Sequence, residues 1–179
     1  MSDPDREAIR DVRAGDRNAF GRLVERYQGR LFGLVVVVMR DRAAAEEVTQ
    51  DAFFRAYTRL DRYDERQPFY PWLATIAVRL AQNRLHQQGR TRRREGTLLD
   101  AGLEPGEGPA PLNTLIADEG SRRLRRAVNA LSSGERSAVM LYYADELPVR
   151  DVARALGVST GTIKTLLFRA RRHLREMLT

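Results

Sequence analysis

The chain of 179 residues contains no cysteine, one lysine and two histidines, and these scarcities exclude several classes of function. Without cysteine there can be neither a disulfide bond nor a thiolate metal site, so a reducing cytoplasm is the expected setting. The first twenty residues are charged and lack the apolar stretch of a secretory signal. The longest apolar run, residues 31–39, includes a glycine and is too short to cross a bilayer. The composition therefore predicts a cytoplasmic protein that is not inserted in a membrane.

The positive charge is the most prominent global property, with a net charge of +7 that favours a polyanionic partner. It is carried by residues 1–94 and 118–179, whereas residues 95–117 hold four acidic side chains and no basic one. This acidic strip is rich in glycine and proline and has few large apolar residues to fold it. We expect a linker at 95–117 between a domain at 1–94 and a second domain at 118–179.

Outside the strip, apolar residues recur at helical spacing, and the Val35–Val38 run has no evident partner strand. The fold class predicted is all-α, with an N-terminal helical bundle and a C-terminal helix-turn-helix joined by a flexible acidic linker. The expected helices run from a cap at Asp16 to about Arg40, about 42–60, from near Pro71 to about 88, 121–130, 133–143, 148–156 and 159–177.

The last thirty residues have the spacing of a helix-turn-helix. Ala153 is small enough for two helices to cross closely, and Gly157 can take the positive φ that ends the first of them. Ser159 is a suitable N-cap for the second helix, which Ile163 and Leu167 would hold against the first. That second helix carries the basic residues Lys164, Arg169, Arg171 and Arg172. The pattern predicts a helix that enters the major groove of DNA.

A second basic block lies between Glu65 and Glu95, where no acidic residue occurs. Seven arginines there accompany Phe69, Tyr70 and Trp72, a mixture that suits single-stranded nucleic acid, whose bases stack on aromatic rings. Trp72 also shares helical spacing with apolar neighbours, which favours a place in the core, and the arginines at 92–94 could be a solvated helix end. The absence of carboxylates nevertheless indicates a nucleic-acid-binding face.

A polar stripe of opposite character is formed by Glu47, Gln50 and Asp51. From the residues alone, an ordinary solvated helix face is the favoured interpretation. Glu46 and Glu47 point about 100° apart on a helix and have no histidine nearby, so they do not form an evident metal or acid–base site. No nucleophile–base set, metal cluster or phosphate loop is visible, so we expect no enzyme activity, no cofactor and no metal.

Taken together, the chain resembles a bacterial RNA polymerase sigma factor of the extracytoplasmic-function (ECF) group over about residues 16–93 and 121–178. The residues that carry the resemblance are Asp16, Ala19, Phe20, Tyr27, EEVTQDAFFRAY at 46–57, FYPWLATIA at 69–77, LSSGERSA at 131–138 and GTIKTLLFRAR at 161–171.

The resemblance implies a transcription initiation factor that binds core RNA polymerase, melts the −10 promoter element and reads the −35 element. Its partners would be the clamp helices of the polymerase largest subunit and the flap, promoter DNA in double- and single-stranded form, and an anti-sigma factor, which is common in the family. By this resemblance, core polymerase binds Glu47, Gln50, Asp51 and Phe54. The implied −10 contacts are Tyr63, Phe69, Tyr70, Arg79, Asn83 and Arg84. The implied −35 contacts are Lys164, Thr165, Phe168, Arg169 and Arg172.

Four positions depart from the family's pattern, which leaves the promoter sequence open. Arg79 stands where asparagine is frequent, Ala74 replaces a frequent tyrosine, Leu166 a common arginine, and Ala44 a usual aspartate. The alternative hypothesis is a stand-alone helix-turn-helix regulator with an N-terminal sensor or dimerisation domain, which would bind duplex DNA without polymerase. A helical enzyme is a third, weaker alternative.

Overall fold

The computed structural model describes residues 3–94 and 119–179, except for the side chains of residues 91–94 and 121. These residues form eight α-helices and contain no β-strand, which confirms the predicted fold class. The acidic strip lies outside the described residues. The helices are α1 Pro4–Arg13, α2 Ala19–Met39, α3 Arg42–Thr58, α4 Phe69–Arg94, α5 Glu119–Ala130, α6 Ser133–Val139, α7 Val149–Leu156 and α8 Thr160–Leu178.

Two details of the helical prediction were wrong. Helix α1 was not predicted; it begins with Pro4 at its start and the Asp3 carboxylate accepting a hydrogen bond from the Asp5 amide. Asp16 does not cap α2, because its carboxylate accepts from the backbone N–H of Asn18, which is itself the cap residue. Two short segments connect longer helices, a 3₁₀ turn at Leu60–Arg62 and a π turn at Met140–Ala144.

The N-terminal bundle consists of α1 to α4, with α2, α3 and α4 packed on one another and α1 on α2. Its interior is filled by fully buried side chains such as Leu23, Leu31, Val48, Leu73 and Val78. Burial of each such side chain contributes roughly 1.5–3 kcal/mol relative to exposure. The Val35–Val38 run lies within α2, as its helical context indicated.

The C-terminal half consists of α5 to α8, and its last two helices form the predicted helix-turn-helix. Gly157 ends α7 with φ of 67°, in the left-handed region. The Ser159 side chain accepts a hydrogen bond from the Thr162 amide and so caps α8. Ile163 and Leu167 are buried against the rest of this half. All four of these local predictions are confirmed.

The two halves also pack against each other, α4 on α7 and α2 on α6. Buried apolar side chains from both halves belong to one contiguous cluster. The arrangement brings Tyr70 and Arg79, two of the expected −10 contacts, against the C-terminal half. None of the described helices is both long and apolar enough to cross a membrane.

Candidate functional site

Helix α8 presents all five expected −35 contacts to solvent. Ile163, Leu167 and Ala170 are buried on its inner side, so the exposed side is the one that carries Lys164, Thr165, Phe168, Arg169 and Arg172. The Phe168 ring is 66% exposed, an unusual position for a large apolar side chain unless it meets a partner. The face therefore offers cationic groups, a hydroxyl and a ring to one groove.

Buried polar contacts fix the orientation of α8 in this half. Arg136 donates through Nη1 to the backbone carbonyls of Asn129 and Leu131, each at 3.1 Å, at the end of α5. Burial, followed by repulsion from Arg40, lowers the pKa of Arg136 to about 10. Glu135 and Ser132 form a capping box at the start of α6. The same Glu135 carboxylate lies 3.2 Å from Nδ1 of His173 on α8, which ties the recognition helix to α6.

The expected polymerase-binding residues share the outer face of α3. Glu47, Gln50 and Asp51 are exposed, and Phe54 is 67% exposed beside them. The opposite face of α3 is buried through Val48, Ala52 and Phe53. The Glu47 carboxylate lies 2.5 Å from Nη2 of Arg84 on α4, so one of these side chains is paired within the bundle. An acidic and amide surface around an exposed ring is suited to a protein partner, because aromatic anchors contribute much of the binding energy at interfaces.

The six expected −10 contacts fall into two groups. Arg79 and Asn83 are exposed on α4, and Arg84 is half-buried. The aromatics Tyr63, Phe69 and Tyr70 are only 5%, 1% and 4% exposed. In this arrangement these three rings belong to the core and are not accessible platforms for bases.

The buried rings form a connected aromatic cluster. The Tyr63 ring packs edge-on against Phe69, with 5.6 Å between centroids, and lies 5.1 Å from the half-buried Trp72. The Tyr63 hydroxyl donates to the carbonyl of Gln67. Burial, with the negative charge of Asp5 as a second cause, raises the pKa of Tyr63 to about 12. The expectation that Trp72 packs in the core agrees with this cluster.

A cationic cavity lies beside Arg79 and Asn83 and was missed by the sequence reasoning. Its volume is about 410 Å³, and five guanidinium groups but no carboxylate line it. Those groups come from α3 and the turns after it, from α4 and from α7: Arg55, Arg59, Arg62, Arg79 and Arg154. The four-residue spacing of Arg55 and Arg59 would have placed both on one helix face. Trp72, Ile76 and Leu80 supply an apolar floor, so the cavity suits a ligand with a flat ring and a phosphate.

Among the described residues, no three histidine, aspartate or glutamate side chains come close enough to hold a metal ion.

Comparison with known proteins identifies both faces as parts of one family. Residues 23–91 match Sigma-70 region 2, and residues 121–174 match Sigma-70 region 4. The ECF RNA polymerase sigma-E factor of Escherichia coli is 33% identical over 93% of this chain and 90% of its own length. The chain belongs to the ECF sigma factors. It is therefore a transcription initiation factor that directs RNA polymerase to promoters.

Two further relatives extend this sigma factor's comparison over nearly its whole length. The ECF sigma factor SigW of Bacillus subtilis is 28% identical over 97% of this chain and 96% of its own. The sigma factor RpoE from Bartonella quintana, solved in complex with the anti-sigma factor NepR, superposes with a TM-score of 0.70 at 26% identity. That superposition covers 90% of this chain and 97% of the other. The hypothesis of a stand-alone regulator is not favoured, because the N-terminal half matches a sigma region.

Proposed function

We propose that residues 1–94 bind core polymerase and open the −10 element, and that residues 118–179 read the −35 element. The observation that supports the proposal is the separation of three exposed surfaces on one helical framework. The α3 stripe is acidic with an aromatic centre, α4 is cationic beside the arginine-lined cavity, and α8 is a capped basic helix. The factor acts in the cytoplasm, without catalysis of its own, and residues 95–117 connect its two DNA-binding parts.

The α3 stripe is assigned to the clamp helices of the polymerase largest subunit, through Glu47, Gln50, Asp51 and Phe54. The exposure of these four side chains supports the assignment, because they are available without any rearrangement of the chain. Glu47 is expected to exchange its pairing with Arg84 for one with a cation of the polymerase, which would leave Arg84 free for DNA.

The −10 assignment keeps Arg79, Asn83 and Arg84 as direct contacts. Tyr63, Phe69 and Tyr70 stay proposed contacts that become accessible only if the surrounding packing changes. Extruding a base from duplex DNA costs a few kcal/mol of stacking, which the pocket must offset. The cavity with Arg55, Arg59 and Arg62 supplies the charge that a melted strand requires.

The −35 assignment rests on the exposed face of α8, with Lys164, Thr165, Phe168, Arg169 and Arg172. Leu166, the departure from the family's arginine, is half-buried and packs against the core, so it does not belong to that face. An anti-sigma factor is a further proposed partner, since the relative RpoE was solved with one bound.

The docking stripe is tested by measuring the affinity of the purified chain for core polymerase. The double change Gln50→Ala with Asp51→Ala should weaken binding by at least about tenfold, about 1.4 kcal/mol, because both side chains are solvent-exposed and central to the stripe. Glu7→Ala is the control, since it removes the same charge from an exposed position of α1, outside the region 2 match. Unchanged affinity of the double variant would refute the assignment.

A further inference from the structure

Asp145, in the turn after the π turn, connects the two halves through a single buried carboxylate. It is 6% exposed, and its Oδ1 accepts hydrogen bonds from Nε of Arg30 and from the hydroxyl of Tyr70, both at 2.9 Å. Its backbone carbonyl accepts from Nη2 of Arg30 at 2.8 Å. The Arg30 guanidinium also stacks on the Tyr70 ring, 3.9 Å from its centroid. One residue of the C-terminal half thus engages both α2 and α4.

Helix α7 makes a second polar contact with the same face of the bundle. Nη2 of Arg79 donates to the backbone carbonyl of Arg154 at 3.1 Å. Arg154 lies near the C-terminus of α7, where the last carbonyls have no partner within the helix and carry its negative dipole end. Nη1 of Arg154 donates in turn to Oε1 of Gln67 at 3.0 Å. A helix end with partial negative charge therefore occupies the position where a DNA backbone would meet Arg79.

These contacts cover the proposed −10 surface and leave the docking stripe free. Tyr70 and Arg79 are both engaged by the C-terminal half, and Arg154 supplies one wall of the arginine-lined cavity. By contrast, Gln50, Asp51 and Phe54 remain exposed on α3. The chain can meet a protein partner in this arrangement, but a melted DNA strand cannot reach its −10 surface.

The polar contact is built to open. The second oxygen of the Asp145 carboxylate, Oδ2, is buried and has no hydrogen-bond partner among the described residues. A half-satisfied buried carboxylate forfeits hydration, so separation of the halves would return that hydration and offset part of the lost contacts. Burial raises the pKa of Asp145, and the hydrogen bonds from Arg30 and Tyr70 oppose that rise.

We infer that the Asp145 turn and helix α7 form an intramolecular docking surface that occupies the −10 surface in the free chain and releases it when the halves separate. The inference rests on the proposed −10 assignment. The occupant is a segment of this chain, identified by the complementarity of its carboxylate and carbonyl acceptors to Arg30, Tyr70 and Arg79. Apparent DNA affinity in such a system equals the intrinsic affinity multiplied by the fraction of open molecules.

The first test compares single-stranded DNA binding by the free chain with and without the carboxylate. Asp145→Ala should raise the affinity for a fluorescent random-sequence oligonucleotide by about tenfold, as expected if the closed form predominates about ten to one. Asp11→Ala is the matched control, since it breaks an ion pair with Arg22 within the N-terminal half and should leave DNA affinity unchanged. Equal affinities of the two variants would overturn the inference.

The second test locks the halves and does not depend on how Asp145→Ala folds. The chain has no cysteine, so Gln67→Cys with Arg154→Cys places a unique pair where the two native side chains touch. A short bis-maleimide with a reducible centre should join them, and the linked protein should bind the oligonucleotide at least about tenfold more weakly than the same protein after reduction. Equal binding before and after reduction would overturn the inference alone. Absence of binding in the reduced and Asp145→Ala forms would overturn the −10 assignment and the inference with it.

Discussion

The two DNA-binding surfaces of this sigma factor differ in what covers them. On α8, all five expected contacts are exposed, and Phe168 stands clear of the core. On α4 and the segment before it, three expected aromatic contacts are buried, and Arg79 is bound to a carbonyl of the other half. The −35 surface is therefore ready to bind, whereas the −10 surface requires a rearrangement of the chain. The two surfaces should respond differently to equivalent mutations.

The largest effect is expected from Phe69→Ala. The Phe69 ring is 1% exposed and packs among Tyr27, Tyr63 and Trp72, so its removal leaves a cavity in the N-terminal bundle. We expect a loss of about 3–5 kcal/mol in the free energy of unfolding, measured by urea denaturation. A loss below about 1 kcal/mol would show that the ring is not a core element in solution.

A smaller effect, on DNA affinity, is expected from Arg169→Ala. If Arg169 contacts a base edge, the variant holoenzyme should lose about 1–3 kcal/mol of binding at a −35 element and discriminate less between sequences. Arg126→Ala, which removes the same charge from an exposed position of α5, is the control. An equal loss on every DNA sequence would identify Arg169 as a phosphate contact.

A modest effect on stability is expected from Gly157→Ala. Gly157 has φ of 67°, and a left-handed conformation costs an alanine roughly 1–2 kcal/mol. The variant should lose about that amount in the free energy of unfolding, with the helix-turn-helix melting first. Hydrogen exchange of the α7 and α8 amides would detect it. Unaltered protection of those amides would argue that the turn tolerates a side chain.

The smallest effect on stability is expected from Phe168→Ala, the exposed counterpart of Phe69→Ala. Its ring is 66% exposed, so the free energy of unfolding should change by less than about 0.5 kcal/mol. Binding of the holoenzyme to −35 DNA should weaken. A destabilisation similar to that of Phe69→Ala would show that the two surfaces do not differ in the way the structure indicates.

The sequence predicted the C-terminal half well because its determinants are local. Gly157, Ser159 and Ile163 act within a few residues of each other, through a left-handed turn, a cap and helical spacing. The exposure of the α3 stripe followed from the same periodicity. Its role came from family resemblance and stays a proposal.

The burial of the −10 aromatics could not be read from the sequence, because it depends on distant partners. Tyr70 bonds to a carboxylate 75 residues away, and Arg30 reaches the same group across 115 residues. Helix α1 was missed for a similar reason, since the Asp5 carboxylate that holds it is buried only through Arg26 and Tyr27 on α2. Local spacing gives no register for such contacts.

Run-off transcription with purified core polymerase on a library of genomic promoter fragments tests the account most directly. We expect discrete transcripts only when chain and core are both present, from promoters that share one −10 and one −35 element. Failure to produce any new transcript with core would contradict the account. So would protection of the same sites by the chain alone.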